Sequence, residues 1–178
     1  EVFTRSGEDK DLGLKLDSFR ESLVKVKNQK EPYVSSELGK RFNIKAIVPI
    51  YNDKNIFIGS LEVIVDFKSL VNRLKTLGID SIVMLEKDYL KIATYHQNNQ
   101  KFKDYAILES SFTKGLLDIL EKNPQFLKKE KFYYELDNRI FTQIPLGEFE
   151  NSSVGVLLIS FDKNINNFRY LPKYDYFI

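Results

Sequence analysis

The sequence predicts an α+β chain made of two tandem modules, each an antiparallel sheet with helices on its flank. Three observations carry that prediction. β-rich runs come in hairpin-like pairs, the apolar residues between the pairs recur at helical spacing, and the pair around Pro49 is repeated around Pro145. Residues 46–66 align without a gap on 142–162, matching Pro49 with Pro145, Gly59 with Gly155 and Asp66 with Asp162. In each copy a β-rich run ends near the proline, polar turn residues follow, and a second run begins near the glycine. Proline donates no ladder hydrogen bond, so both prolines are expected at a sheet edge or a strand end.

The elements follow in order. The first module covers residues 1–78. Short strands at 2–5 and 33–37 bracket a helix over 16–27, where Leu16, Phe19, Leu23, Val24 and Val26 fall largely on one face. The hairpin strands are 44–51 and 57–67. A helix over 67–77 repeats apolar residues at Phe67, Leu70, Val71 and Leu74, and Gly78 stops it. The second module covers 79–168. It opens with strands 81–86 and 89–94 around a turn at Lys87-Asp88. A helix over 112–122 ends at Asn123-Pro124, and strands at 130–136, 139–146 and 154–161 complete the sheet. Residues 163–168 begin another helix, and 169–178 form a tail. Asp66 and Asp162 each precede a helical run and are expected to cap it.

Composition excludes several function classes. Twenty-seven Lys and Arg against 25 Asp and Glu leave a net charge of +2, which sets up no field for nucleic acid or a membrane surface. The run Lys128 to Lys131 beside Phe132, Tyr133 and Tyr134 is interrupted by Glu130 and reads as a solvated strand start. With no cysteine, disulfides and thiolate metal sites are excluded, and the compartment is left open between cytosol and periplasm. The single histidine, His96, lies in the polar stretch 95–101 and reads as a surface-loop residue rather than a pH sensor or metal ligand. Glu130, Glu135, Glu148 and Glu150 follow no regular metal spacing. No Gly-rich phosphate loop or nucleophile elbow is present. The sequence therefore assigns no catalytic residue, no metal ligand and no cofactor. No run approaches the roughly 18–20 apolar residues that span a bilayer. Because Val2-Phe3 already reads as strand, the chain is expected to be cut from a longer one.

Five short motifs, in order and spacing, resemble the double Cache sensor family. They are Val2-Phe3-Thr4-Arg5, the run from Leu16 to Arg20, Glu37-Leu38-Gly39, Lys45-Ala46-Ile47-Val48-Pro49-Ile50 and Gly59-Ser60-Leu61-Glu62. The resemblance is firmest over residues 1–90, and it is closest to the branch found on bacterial histidine kinases, chemoreceptors and diguanylate cyclases. It implies an extracytoplasmic, periplasmic domain anchored by flanking transmembrane helices outside this chain. Residues 1–78 would be the membrane-distal module, lacking its long N-terminal helix, and 79–168 the membrane-proximal one. It further implies a homodimer and a small ligand, such as a carboxylate or an amino acid, in the distal module. Two departures matter. Leu12-Gly13-Leu14-Lys15 replaces a Gly-Asp-Asp-like stretch, and Lys45 stands where an arginine is common, which exchanges a bidentate fork for a point charge.

Strand alternation names the candidate ligand residues. Ala46, Val48 and Ile50 share a face with Leu61, Val63 and Val65, and this apolar face is expected to pack on the missing helix. Lys45, Ile47 and Tyr51 share the other with Ser60, Glu62 and Ile64, a mostly apolar wall with a few convergent polar groups. Arg5 and Arg20 add positive charge for an anion, and Glu37 with Glu62 would orient an amine or neutralise the arginines. The competing account of these seven residues is a solvated sheet face with structural ion pairs. At the level of function the rival is an intracellular tandem PAS-like interaction module without a ligand. A hydrolase would need two carboxylates facing one cleft.

Overall fold

A computed structural model of the chain describes residues 2, 13, 15, 21–128, 132–149 and 152–164. It divides into two units: unit 1 is Glu1–Ser36 with Ile44–Val65, and unit 2 is Glu37–Asn43 with Asp66–Ile178. The chain thus enters unit 2 for residues 37–43 before returning to unit 1.

Unit 1 contains α1 (Glu21–Gln29), β1 (Tyr33–Glu37), β2 (Asn43–Tyr51) and β3 (Phe57–Val65), in a sheet of order β1-β2-β3. The hairpin predicted around Pro49 forms, with Ile44 opposite Val65, Val48 opposite Leu61 and Ile50 opposite Gly59. Its turn is set by Asn52, whose Oδ1 accepts from the amides of Lys54 (3.0 Å) and Ile56 (2.9 Å) while Asn55 takes φ of 58°. Pro49 sits two residues from the end of β2. Alternation separates the faces sharply: Ile47 is 0% and Lys45 7% exposed, whereas Val48, Ile50, Leu61 and Val63 on the other face are all exposed. Helix α1 buries Ser22 and Val26, one turn apart, and packs against β3. Since Lys45 and Ile47 are the hairpin residues shielded from water, α1 covers their face. The expected helix 16–27 is seen from Glu21 onward; residues 16–20 and the strand at 2–5 lie, apart from Val2, outside the described residues.

Unit 2 contains α2 (Phe67–Thr76), β4 (Asp80–Glu86), β5 (Lys101–Phe102), β6 (Tyr105–Ser110), α3 (Lys114–Lys122), β7 (Tyr133–Leu136), β8 (Arg139–Phe149) and β9 (Ser152–Asp162). The sheet order is β5-β6-β4-β9-β8-β7. Asp66 caps α2 by accepting from the Ser69 amide at 3.0 Å, and the helix closes with Ile79 N–H donating to the Leu74 carbonyl and Gly78 N–H to that of Lys75. Thr113 caps α3 through Leu116 N–H at 3.3 Å, so this helix starts two residues later than its predicted 112. One side of the sheet packs Ile82, Met84, Phe141, Val156 and Leu158 against Leu116, Leu120 and Phe126, with the rings of Phe126 and Phe141 stacked at 4.7 Å. Val83 and Leu85 on the other side of β4 are equally buried, and α2 packs on β4 and β6. The sheet is therefore a middle layer.

The predicted strand 89–94 is not one. Residues Lys87–Lys91 and Thr94–His96 are 3-10 turns, with Ile92 N–H donating to the Tyr89 carbonyl and His96 N–H to that of Ala93. The reason is competition for an edge: β4 is already paired with β6 on one side and β9 on the other. Strand β6, missed in the sequence, takes the place predicted for 89–94. Pro145 faces Val156 beyond Thr142, where the β7 pairing ends, so β8 is locally an edge there and the missing donor costs nothing. Asp162 accepts from Asn164 N–H (2.7 Å) and from Asn138 Nδ2 (2.9 Å), and the helix predicted after it falls largely outside the described residues.

The two glycines matched by the repeat do different work. A Cβ on Gly59 would meet nothing within 4 Å, whereas one on Gly155 would lie 2.4 Å from the Met84 carbonyl oxygen. Strand backbone cannot yield as a side-chain tip can, so Gly155→Ala should cost about 1–3 kcal/mol by overpacking. Gly59→Ala should be nearly neutral. Urea denaturation of the two variants distinguishes them, and equal losses would contradict this account of the β4–β9 contact.

Candidate functional site

Four of the seven sequence-predicted ligand residues are brought onto one sheet face. Lys45 lies opposite Ile64, Glu62 opposite Ile47, Ser60 opposite Pro49 and Tyr51 opposite Phe57, all on the side covered by α1. Ser60, Glu62 and Tyr51 are half-buried there, and neither Lys45 nor Glu62 stands without an interaction partner. Strand rise places Lys45 and Tyr51 about 20 Å apart, with Glu62 and Ser60 between them. A small molecule would therefore meet a part of this row at a time. The Tyr51 hydroxyl donates to the Lys30 carbonyl at 2.9 Å, fastening the C-terminal end of α1 to the sheet. Glu37 ends β1 and is assigned to unit 2. Arg5 and Arg20 lie outside the described residues.

The sequence reading missed Ser22. Its side chain is buried at 4% exposure and its Oγ has no hydrogen-bond partner among the described residues. Ser22 and Val26 are four residues apart, so both belong to the face of α1 that is turned inward. A serine at the position of an apolar stripe was the available signal. It went unread because the stripe was traced through Phe19, Leu23 and Val26.

Unit 2 has a cleft of about 330 Å³ lined by residues 41–43, 66–68, 95–96 and 108–109. The reading of His96 as a surface-loop residue is refined here: it lies in the turn Thr94–His96, but its ring is engaged. The imidazole is half-buried and its Nε2 accepts the Phe42 N–H at 3.2 Å, which places the proton of the neutral ring on Nδ1. The neighbouring Tyr95 N–H donates to the Lys40 carbonyl at 3.1 Å, and the Arg41 guanidinium stacks 4.4 Å from the centre of the Tyr95 ring. Burial, and then the Arg41 charge, hold the His96 pKa below its ordinary 6.5. The Asp66 carboxyl is also held low, by its hydrogen bonds to the Ser69 backbone and hydroxyl.

Of the glutamates considered for catalysis, Glu135 is the one whose side chain is described. Glu135 pairs with Lys163 at 2.6 Å, Glu130 and Glu150 lie outside the described residues, and the Glu148 side chain is not described. Among the described residues no three His, Asp or Glu side chains gather as metal ligands, and no helix is long and apolar enough to cross a membrane.

Two α+β units, with antiparallel sheets of three and six strands, give the chain a Cache/PAS-like fold. The family model for the double sensory domain of two-component sensor kinases (dCache_3) matches residues 1–164, and the chain belongs to that family of double Cache sensors. Among solved structures it is similar to an extracellular ligand binding receptor from Desulfohalobium retbaense DSM5692. The identity is 12% and the TM-score 0.41, over 84% of this chain and 26% of that one. No curated protein matches the chain.

The depressed His96 pKa makes stability pH-dependent. Because the folded state takes up this proton later than the unfolded chain does, stability is lost as pH falls from the ordinary histidine range towards the folded value. Thermal melts between pH 8 and pH 5 should show that decline, and His96→Gln should flatten it. An unchanged slope in the variant would remove His96 as its source.

Proposed function

We propose that this domain is the extracytoplasmic, small-molecule-sensing part of a transmembrane signal-transduction protein, with its ligand held between α1 and the polar-bearing face of the unit 1 sheet. The observation that carries this reading is the burial of Lys45 beside Ile47, together with a buried Ser22 hydroxyl that lacks a partner among the described residues. An orphaned buried hydroxyl costs about 1–3 kcal/mol, which a ligand donor or acceptor would offset. Lys45 supplies a cation for a carboxylate, Glu62 an anion for an amine, and Ser22 and Ser60 neutral hydrogen bonds. The ligand class is accordingly a small carboxylate, amino acid or similar metabolite. Arg5, Arg20 and Glu37 complete the proposed set.

In this reading residues 1–78 form the membrane-distal module and 79–168 the proximal one. The domain itself is non-catalytic, and the full-length protein works as a homodimer anchored by flanking membrane helices. Signalling is a population shift: a ligand held more tightly by one placement of α1 on the sheet biases that placement. Membership of the double sensory family supports sensing as the task.

A thermal-shift screen against amino acids, small carboxylates, amines and purines tests it. A ligand at a hundred times its Kd should stabilise the fold by about 2.7 kcal/mol. That moves the midpoint of a domain this size by roughly 5–10 °C. Lys45→Met, which keeps the packing volume, or Glu62→Gln should abolish the shift, and Ser22→Ala should weaken it. Silence across the panel from a folded protein would instead favour the ligand-free interaction module.

A further inference from the structure

We propose that protonation of His96 is a release switch for residues 40–42 in unit 2. Three contacts hold this segment against the turn Thr94–His96: the Tyr95 N–H to the Lys40 carbonyl, the Arg41 stack on Tyr95, and the Phe42 N–H to His96 Nε2. The third exists while Nε2 carries a lone pair. Adding a proton there turns the acceptor into a donor, so two N–H groups face each other and the bond is lost. The imidazolium also brings a second positive charge towards Arg41 in a half-buried setting.

What His96 holds is a fitted plug. Phe42 is 1% exposed, its ring lies 5.3 Å from that of Phe67, and it fills space that a Cβ on Gly147 would invade at 2.8 Å. A ring seated so closely does not tolerate a drifting backbone, so its amide is the natural reporter of the latch. Four further charged or titratable side chains border the same cleft: Tyr95, Lys68, Asp66 and Glu109. The Asp66 carboxylate is engaged by the Ser69 amide and hydroxyl at 3.0 and 2.9 Å. The Glu109 and Asp66 carboxylates would favour the imidazolium, and Lys68 and Arg41 oppose it. Burial decides the balance, and the neutral ring is the ground state.

The switch has a place in the chain. Residues 37–43 are the stretch by which the chain belongs to unit 2 between β1 and β2, and β2 starts directly after Phe42. A proton at His96 therefore acts on the backbone that leads into β2, independently of whether a small molecule is bound.

Amide hydrogen exchange followed by NMR from pH 8 to pH 5 tests it, with rates converted to protection factors and the His96 ring titrated in parallel. In the unaltered protein the Phe42 amide should lose about tenfold of its protection, the loss of one ordinary hydrogen bond, as His96 titrates. Amides of Val83 and Leu158, deep in the sheet, should lose no more than the fall in global stability, which the thermal melts measure independently. His96→Gln, which retains an uncharged acceptor, should protect Phe42 equally at both ends of the range. His96→Ala should leave Phe42 poorly protected at every pH, and Arg41→Ala should move the transition to higher pH. Phe42 protection that persists through the His96 titration, or that falls identically in His96→Gln, would overturn the proposal.

Discussion

The burial of Lys45 is the constraint around which unit 1 is organised. An ammonium taken out of water without compensation costs several kcal/mol, so a folded chain keeps one at 7% exposure where its surroundings compensate for the desolvation. Lys45 has an interaction partner, and its strand neighbour on the same face, Ile47, is fully enclosed. The cover is α1, held down at its C-terminal end by Tyr51 on the Lys30 carbonyl. Remove the period-two alternation of β2 and none of this survives, because a slip of one residue would turn Lys45 out and Val48 in.

That alternation was legible in the sequence. It sorted Lys45, Tyr51, Ser60 and Glu62 onto one face, and the register confirms that they share it. What alternation cannot convey is which face loses water. The uniformly apolar side, Val48, Leu61 and Val63, is the exposed one here, with Leu61 at 55% exposure, while on the mixed side Lys45 and Ile47 are buried and Ile64, opposite Lys45, is exposed. Hydrophobicity alone predicts burial of both. Ser22 was illegible for a related reason: a helix reveals its inward face through the majority of its stripe, and a lone hydroxyl within that stripe looks like a lapse in the pattern.

The tandem repeat was a sound guide to elements and a poor one to roles. Pro49 with Pro145, Gly59 with Gly155 and Asp66 with Asp162 do fall at corresponding places in two hairpins. Yet Gly155 is pressed against the Met84 carbonyl and Gly59 touches nothing, because β9 is paired on both sides and β3 is an edge. Asp66 caps α2, whereas Asp162 accepts from the Asn164 amide and is also tied across to Asn138, and the run it was expected to cap lies largely outside the described residues. The error at 89–94 has the same origin. Leu90, Ile92 and Thr94 have strand-like alternation, but pairing is a long-range property, and both edges of β4 were taken by segments 19 or more residues away.

Comparison of the two sheets also bears on where a ligand would sit. In unit 2, β4 is enclosed on both faces, and the α3 side is filled by stacked and interdigitated apolar groups down to the Phe126–Phe141 pair. Opening a cavity there would forfeit dispersion contacts on every side, a cost of about 2–5 kcal/mol for each large side chain displaced. In unit 1 the covered sheet face carries the Lys45 cation, the Glu62 carboxylate and the Tyr51 and Ser60 hydroxyls, and the inward face of α1 carries the Ser22 hydroxyl. Displacing water or a side chain from such a face costs less, because an incoming polar molecule replaces the hydrogen bonds it disturbs. The polarity of the unit 1 face is the physical basis of the proposed site, whereas unit 2 offers its tightly packed α3 side and, on the other side of β4, the buried Ser81 hydroxyl, which has no partner among the described residues. In unit 2 the bond from Phe42 to His96 is the part that responds to a proton in the proposed switch.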